Sequence, residues 1–141
     1  NSRSGWWMNV RILRYADVVL MYAEAANELG GATNISNALA AVNSIRARAR
    51  RDLPSSAPAG SLPDLNITDQ SALRDAIRQE RRVELAMEHE RFFDIVRWGI
   101  DLAAMQAAGK TNYNPARDRL LPIPQQQIDL SKGVLKQNPG Y

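Results

Sequence analysis

Glu80 and Glu84 stand four residues apart, which on a helix is one turn and about 6 Å along the axis. Two carboxylates at that spacing resemble the equipment of a retaining glycosidase, one acting as acid and the other as nucleophile. The run that holds them, Glu80 to Gly99, also carries Arg81, Arg82, Arg91 and Arg97, with Phe92, Phe93 and Trp98 among them. On a wheel at about 100° per residue, Leu73, Ala76, Ile77, Val83 and Met87 share one arc, and both glutamates fall inside it. A buried carboxylate without a partner is costly and resists ionisation. A second reading therefore pairs them with arginines, from the run itself or from Arg11, Arg14 and Arg46 upstream. The planar guanidinium suits such pairing because it grips a carboxylate through two parallel bonds. Basic and acidic residues nearly balance, 18 against 15, which favours mutual neutralisation over the unbalanced charge of a catalytic cleft. On this reading Glu80, Arg81, Glu84, Arg91 and Arg97 form a structural ion-pair network, and no residue is catalytic.

Other chemistries have less to work with. There is no cysteine and one histidine, His89. Disulfides, thiolate sites and imidazole-rich metal centres are excluded within the chain. His89-Glu90-Arg91-Phe92 lacks the second histidine of the His-Glu-x-x-His zinc motif, and no Gly-x-Ser-x-Gly elbow is present. No metal or cofactor is expected. His89 reads as a surface residue at a helix break. The formal charge of +3 and pI near 9.6 are a mild excess without a basic stripe, so no nucleic-acid partner is expected. Arg46, Arg48, Arg50 and Arg51 cluster where a helix should end, and their expected role is solvation and complementing the helix dipole.

The elements that must position these groups are helical. The 141 residues, 45% hydrophobic and 23% charged, suffice for one domain. Tyr15, Val18, Val19, Tyr22, Ala26 and Leu29 follow helical spacing, with Asp17, Glu24 and Glu28 on the other side. Val18 to Met21 is apolar nearly all round, so this helix should be covered on more than one face. Gly30-Gly31 stops it. A second helix, capped by Asn34 or Ser36, carries the stripe Ile35, Ala38, Leu39, Val42, Ile45 and Ala49. So short a loop makes the two antiparallel. Residues 52–70, punctuated by Pro54, Pro58 and Pro63, read as a long loop that is either functional or mobile. Thr68, Asp69 or Ser71 caps a third helix reaching about Glu88, and a fourth covers Arg91 to Trp98 until Gly99. Phe92, Phe93 and Trp98 are expected in core or interdomain packing. Leu102 to Ala108 continues helically to Gly109, and 110–119 reads as polar loop. Leu121-Pro122-Ile123-Pro124 must be extended, Gln125 to Leu130 is one or two helical turns, and Asn138-Pro139-Gly140-Tyr141 has type II turn order. No alternating strand pattern is present. The expected fold is all-α, antiparallel helical hairpins with long irregular loops. The first hairpin also fits a tetratricopeptide-like unit through Tyr22, Ala25, Ala26 and Leu29, then Ala38 and Val42. Arg50 stands where the usual proline would be.

Four blocks carry a family resemblance. Arg14 to Ala25 resembles the opening of the C-terminal region of SusD/RagB proteins. Glu80 to Gly99 resembles their ERRxELAxExxRFFDLxRWG run. Leu120 to Pro124 and Gln137 to Tyr141 resemble their closing segments. Met87 stands where that family often has phenylalanine. His89 stands where it often has glycine, which should make the helix break tighter or more helical.

The resemblance implies a non-enzymatic, cell-surface nutrient-binding lipoprotein of the outer membrane. Its role would be to capture glycan and deliver it to a TonB-dependent transporter in polysaccharide utilisation. The family fold is helical with tetratricopeptide-like units. Residues 1–141 would be its C-terminal domain. Asn1 in place of Met and the lack of an anchoring cysteine fit a portion of a longer chain. The partners implied are the glycan or other nutrient, the transporter and the missing N-terminal part, with membrane attachment only through a lipid anchor outside this chain. The family's ligand contacts lie mainly upstream of these blocks. Trp6 and Trp7 are the candidates for sugar stacking, weighed against packing. Two alternatives stay open: a glycosidase-like enzyme using Glu80 and Glu84, and a helical-repeat adaptor for peptides.

Overall fold

The computed structural model describes residues 12–141, which hold seven α-helices and no strand. They divide between His89 and Glu90 into two compact units.

The first unit contains α1 (Tyr15–Leu29), α2 (Ala32–Arg51) and α3 (Gln70–Glu84). Gly30 ends α1 with φ +69°, and Gly31 follows at φ +81°. The chain reverses in two residues because glycine enters this region without Cβ strain. Asn34 and Ser36 do not cap α2. The helix already begins at Ala32 behind Gly31, and Asn34 Nδ2 donates to Gly30 O at 2.8 Å. Asp69 does cap α3, its carboxylate accepting from Ala72 N at 2.7 Å.

The core of this unit is Ala16, Leu20, Ala23 and Ala26 of α1, Ala38, Val42 and Ile45 of α2, and Leu73 and Ile77 of α3. Each enclosed leucine or isoleucine contributes roughly 1.5–3 kcal/mol. The face of α1 differs from the sequence expectation. Tyr15, Val18, Tyr22 and Leu29 are exposed, while Asp17 and Asn27 are buried. The inward stripe runs through Leu20 and small alanines, which let the helices approach closely, while Tyr15, Val18, Tyr22 and Leu29 point away. Asn27 and Gln70 clasp each other: Asn27 Nδ2 donates to Gln70 O (3.1 Å), and Gln70 Nε2 to Asn27 O (2.6 Å).

The second half of the 52–69 loop is strapped to α2. Asn43 exchanges two hydrogen bonds with the Leu65 backbone, and Arg46 and Arg50 donate to the carbonyls of Pro63 and Leu62. Leu65 and Ile67 pack on the core. This half of the loop is thus anchored along α2.

Helix α3 ends at Glu84, a turn earlier than its apolar pattern suggests. Val83 and Met87 are exposed rather than inward. Beyond Leu85 the chain turns with Met87 at φ +67° and His89 at φ +68°. His89 takes the left-handed conformation that glycine adopts most readily, so the break is not more helical.

The second unit holds α4 (Arg91–Arg97), α5 (Asp101–Ala107), α6 (Pro115–Asp118) and α7 (Gln125–Leu130). Helix α6 interrupts what the sequence suggests is continuous polar loop, because Asn114 caps it and Pro115 sits in its first turn. The extended Leu121–Pro124 segment is stitched to the C-terminus. Gln137 pairs with both backbone groups of Ile123, Asn138 donates to Leu121 O, and Tyr141 donates to Leu120 O. Pro139 and Gly140 form the expected turn, with Gly140 at φ +89° and Tyr141 N bonded to Asn138 O.

Candidate functional site

The two glutamates lie on the inward side of α3, and each is held by arginine. Glu80 is buried and accepts from Arg46 Nη1 at 2.8 Å. Glu84 accepts from Arg14 Nη1 at 2.6 Å and Arg48 Nη2 at 2.5 Å. Arg14 extends the chain of charges, its Nε donating to Glu88 Oε2 at 2.6 Å. Its guanidinium is pushed up from the usual arginine value by the bond to Glu88 and then by Glu84. Arg81 turns the other way and reaches Asp17 of α1 at 2.7 Å.

Most of these partners come from α1 and α2, not from the run that contains the glutamates. The arginines expected to solvate the end of α2 are tertiary partners instead: Arg46 takes Glu80, Arg48 takes Glu84, and Arg50 takes Asp64 at 2.7 Å. Arg51 is exposed. Three helices are thereby tied by charge-assisted bonds, each among the stronger kinds of hydrogen bond. Glu80 Oε2 and both Glu84 oxygens accept from guanidinium groups. A general acid or a nucleophile needs those oxygens aimed at substrate.

Arg91 and Arg97 belong to the second unit. Arg97 pairs with buried Asp94 at 3.0 Å and lies 4.9 Å from the Trp98 ring centroid. The Arg91 guanidinium sits 5.9 Å from the same ring. Both distances are within cation–π range. Phe92 meets Phe93 and Tyr113 edge-on. Phe93 is 66% exposed, so core packing does not describe it here. His89 is exposed between α3 and α4. Trp6, Trp7 and Arg11 lie outside the described residues.

One site was not visible in the sequence. Asp101 is fully enclosed and accepts three bonds: Arg119 Nε and Nη2 at 2.8 Å each, and the Tyr113 hydroxyl at 2.7 Å. The Arg119 fork, then Tyr113, holds its carboxyl well below the usual carboxylate range. Burial, then the bond to Asp101, pushes the Tyr113 phenol up. The only local signal was an acid in the first turn of a helix, which usually serves the dipole alone. A cleft of about 450 Å³ beside it is lined by Met105, Lys110, Asn112, Tyr113, Arg117 and Asp118 among others. Among the described residues, no group of three or more His, Cys, Asp or Glu could hold a metal ion.

In the first unit the α1–α2 hairpin, tied to α3 by arginine–carboxylate pairs, defines a helical scaffold of tetratricopeptide-like packing. Known proteins place it. The SusD family profile matches residues 1–141, and the chain belongs to that family. It is 36% identical to SusD-like protein P2 of Formosa agariphila, covering 92% of this chain and 25% of that protein. It is likewise 36% identical to SusD-like protein P25 of the same organism, covering 92% and 24%. Among solved structures, a SusD homologue from Bacteroides thetaiotaomicron superposes with a TM-score of 0.73 at 35% identity, over 92% of this chain and 26% of the other. A SusD-like protein from Bacteroides fragilis gives 0.64 at 33% identity, over 94% and 26%. The chain thus spans about a quarter of the length of the curated relatives it matches.

Proposed function

We propose that this chain is the C-terminal portion of an outer-membrane nutrient-binding lipoprotein. The protein captures oligosaccharide without cleaving it and hands it to a TonB-dependent transporter. The observation that carries this reading is the family match over residues 1–141, joined to relatives of the same family at 36% identity. No helix among the described residues is long and apolar enough to cross a membrane. Attachment is assigned to a lipid anchor outside this chain.

Within this reading Glu80, Arg81, Glu84, Arg91 and Arg97 hold the scaffold and do not touch ligand. Trp6 and Trp7 are the proposed stacking surfaces for a sugar ring, whose apolar face suits an indole. The engagement of Glu80 and Glu84 by Arg46, Arg14 and Arg48 supports capture over hydrolysis. The test uses the full-length protein and a panel of soluble oligosaccharides. Calorimetry should detect binding of at least one, and reducing-end assays should detect no release. Reducing-end release that Glu80→Gln abolishes would instead make the protein a hydrolase.

A further inference from the structure

The cleft of about 450 Å³ in the second unit has walls that neighbouring side chains hold in place. Its volume falls within the range of small-molecule sites, about 300–1,000 Å³. Tyr113 supplies an aromatic wall. The Asp101 carboxylate fixes its hydroxyl at 2.7 Å, and the Phe92 ring meets its ring edge-on. Met105 adds a half-buried apolar surface. Arg117 and Asp118 lock each other through two bonds, Nε to Oδ1 at 2.6 Å and Nη2 to Oδ2 at 3.1 Å. Asn114 N donates to the same carboxylate at 2.7 Å. Side chains already held in one geometry lose little further freedom when a ligand arrives.

The charges of the lining do not cancel. Arg117 and Asp118 neutralise each other, which leaves Lys110 as one positive charge in excess. Lys110 and Asn112 are both exposed. A ligand that answers all these groups has an apolar ring face for Tyr113 and Met105, hydroxyls for Asn112, and a single negative charge for Lys110. A uronic-acid residue has all three: the C–H face of its ring, its hydroxyls and one carboxylate. A neutral sugar leaves the ammonium unanswered. Inorganic phosphate leaves the aromatic and thioether surfaces without a contact.

We infer that this cleft is a subsite for an acidic, uronate-bearing oligosaccharide, with a sugar ring against Tyr113 and Met105, its carboxylate at Lys110 and its hydroxyls at Asn112. Asp101 is then a positioning residue, acting through the Tyr113 hydroxyl. This inference rests on the capture reading and adds to it a ligand class and a place on this chain.

The experiment acetylates the lysines of the full-length protein with an N-hydroxysuccinimide ester and follows each one by peptide mass spectrometry. Lys132 and Lys136, exposed in the same unit, serve as internal references. In the free protein Lys110 should react at a rate comparable to theirs. Trigalacturonate at saturation should slow Lys110 about tenfold and leave both references unchanged. Maltotriose and inorganic phosphate should not slow it. Asn112→Ala, a change at an exposed position, should raise the trigalacturonate concentration for half-protection by roughly three- to tenfold. Slow reaction of Lys110 in the free protein overturns the inference, because the cleft is then covered. So does protection by maltotriose or phosphate equal to that by trigalacturonate, or protection that Asn112→Ala leaves intact. Calorimetric binding of either oligosaccharide without protection of Lys110 overturns this inference and leaves the capture reading standing. Binding of no oligosaccharide overturns both.

Discussion

Arg81 of α3 and Asp17 of α1, 64 residues apart in sequence, meet through Nη1 and Oδ1 at 2.7 Å, with the residues 3% and 7% exposed. The pair spans the core that Leu20, Leu73 and Ile77 fill. Breaking it leaves a charge buried without its partner, which costs about 3–5 kcal/mol. Arg81→Ala should therefore lower stability by that order in urea denaturation followed by circular dichroism. Replacing both partners with apolar side chains, Asp17→Leu with Arg81→Met, should cost clearly less than the two single changes summed. Simple additivity would show that the two charges do not act as a pair.

Glu84 is shared by Arg14 and Arg48. Glu84→Ala removes the carboxylate that Arg48 grips and leaves Arg14 held by Glu88 at the α1–α2–α3 junction. A loss of about 1–3 kcal/mol is expected, read as a lowered Tm. Ligand affinity of the full-length protein should hardly change. A variant as stable as the parent would remove Glu84 from the structural network.

Met87 is 96% exposed and sits at φ +67°. It contributes no packing there, and its backbone carries left-handed strain of roughly 1–2 kcal/mol. Glycine relieves that strain but loosens the unfolded chain, so Met87→Gly should gain about 0.5–1 kcal/mol. A loss of stability on substitution would reveal a role for the methionine side chain at this turn.

Gly140 has φ +89°, and a Cβ there would lie 2.8 Å from Arg117 Cγ. Gly140→Ala should cost about 1–3 kcal/mol from backbone strain alone. Hydrogen exchange should locate the loosening at Leu120–Pro124 and the C-terminus, where the stitching bonds lie, and leave α1 to α3 protected.

Asp101 makes the second unit sensitive to acid. Its folded pKa is depressed by Arg119 and Tyr113 below the ordinary 3.8. The stabilisation is therefore complete above 3.8 and lost as pH falls through the depressed folded value. Tyr113 is raised above its ordinary 10.0 by burial and by Asp101. Its contribution is complete below 10.0 and lost as pH rises through the raised value. Hydrogen-exchange protection factors of residues 101–119, corrected for the intrinsic pH dependence of amide exchange, should stay flat between these limits and fall beyond them. Asp101→Asn should remove the acid-side change, and an unchanged acid limb would assign it to other carboxylates.

Helix existence was legible from local signals, because apolar spacing, Gly30-Gly31 and the Asp69 cap act over a few residues. Which face of α1 turns inward was not. Its large side chains suggested Tyr15, Val18 and Tyr22, yet close packing selects the alanines. The end of α3 was overestimated because Met87 continues the apolar spacing while the backbone has already turned. The Asp101–Arg119–Tyr113 cluster escaped notice because its members are far apart on a segment with little periodicity.

The family blocks, the helical class and the inward position of Glu80 and Glu84 were determined by sequence alone, since each depends on residue type and short-range spacing. The run from Glu80 to Gly99 could not by itself name its partners. Only the tertiary structure brought Arg14, Arg46 and Arg48 to those carboxylates, because an ion pair depends on distances in space that helix packing sets. The same packing decided which face of the first hairpin is closed by α3.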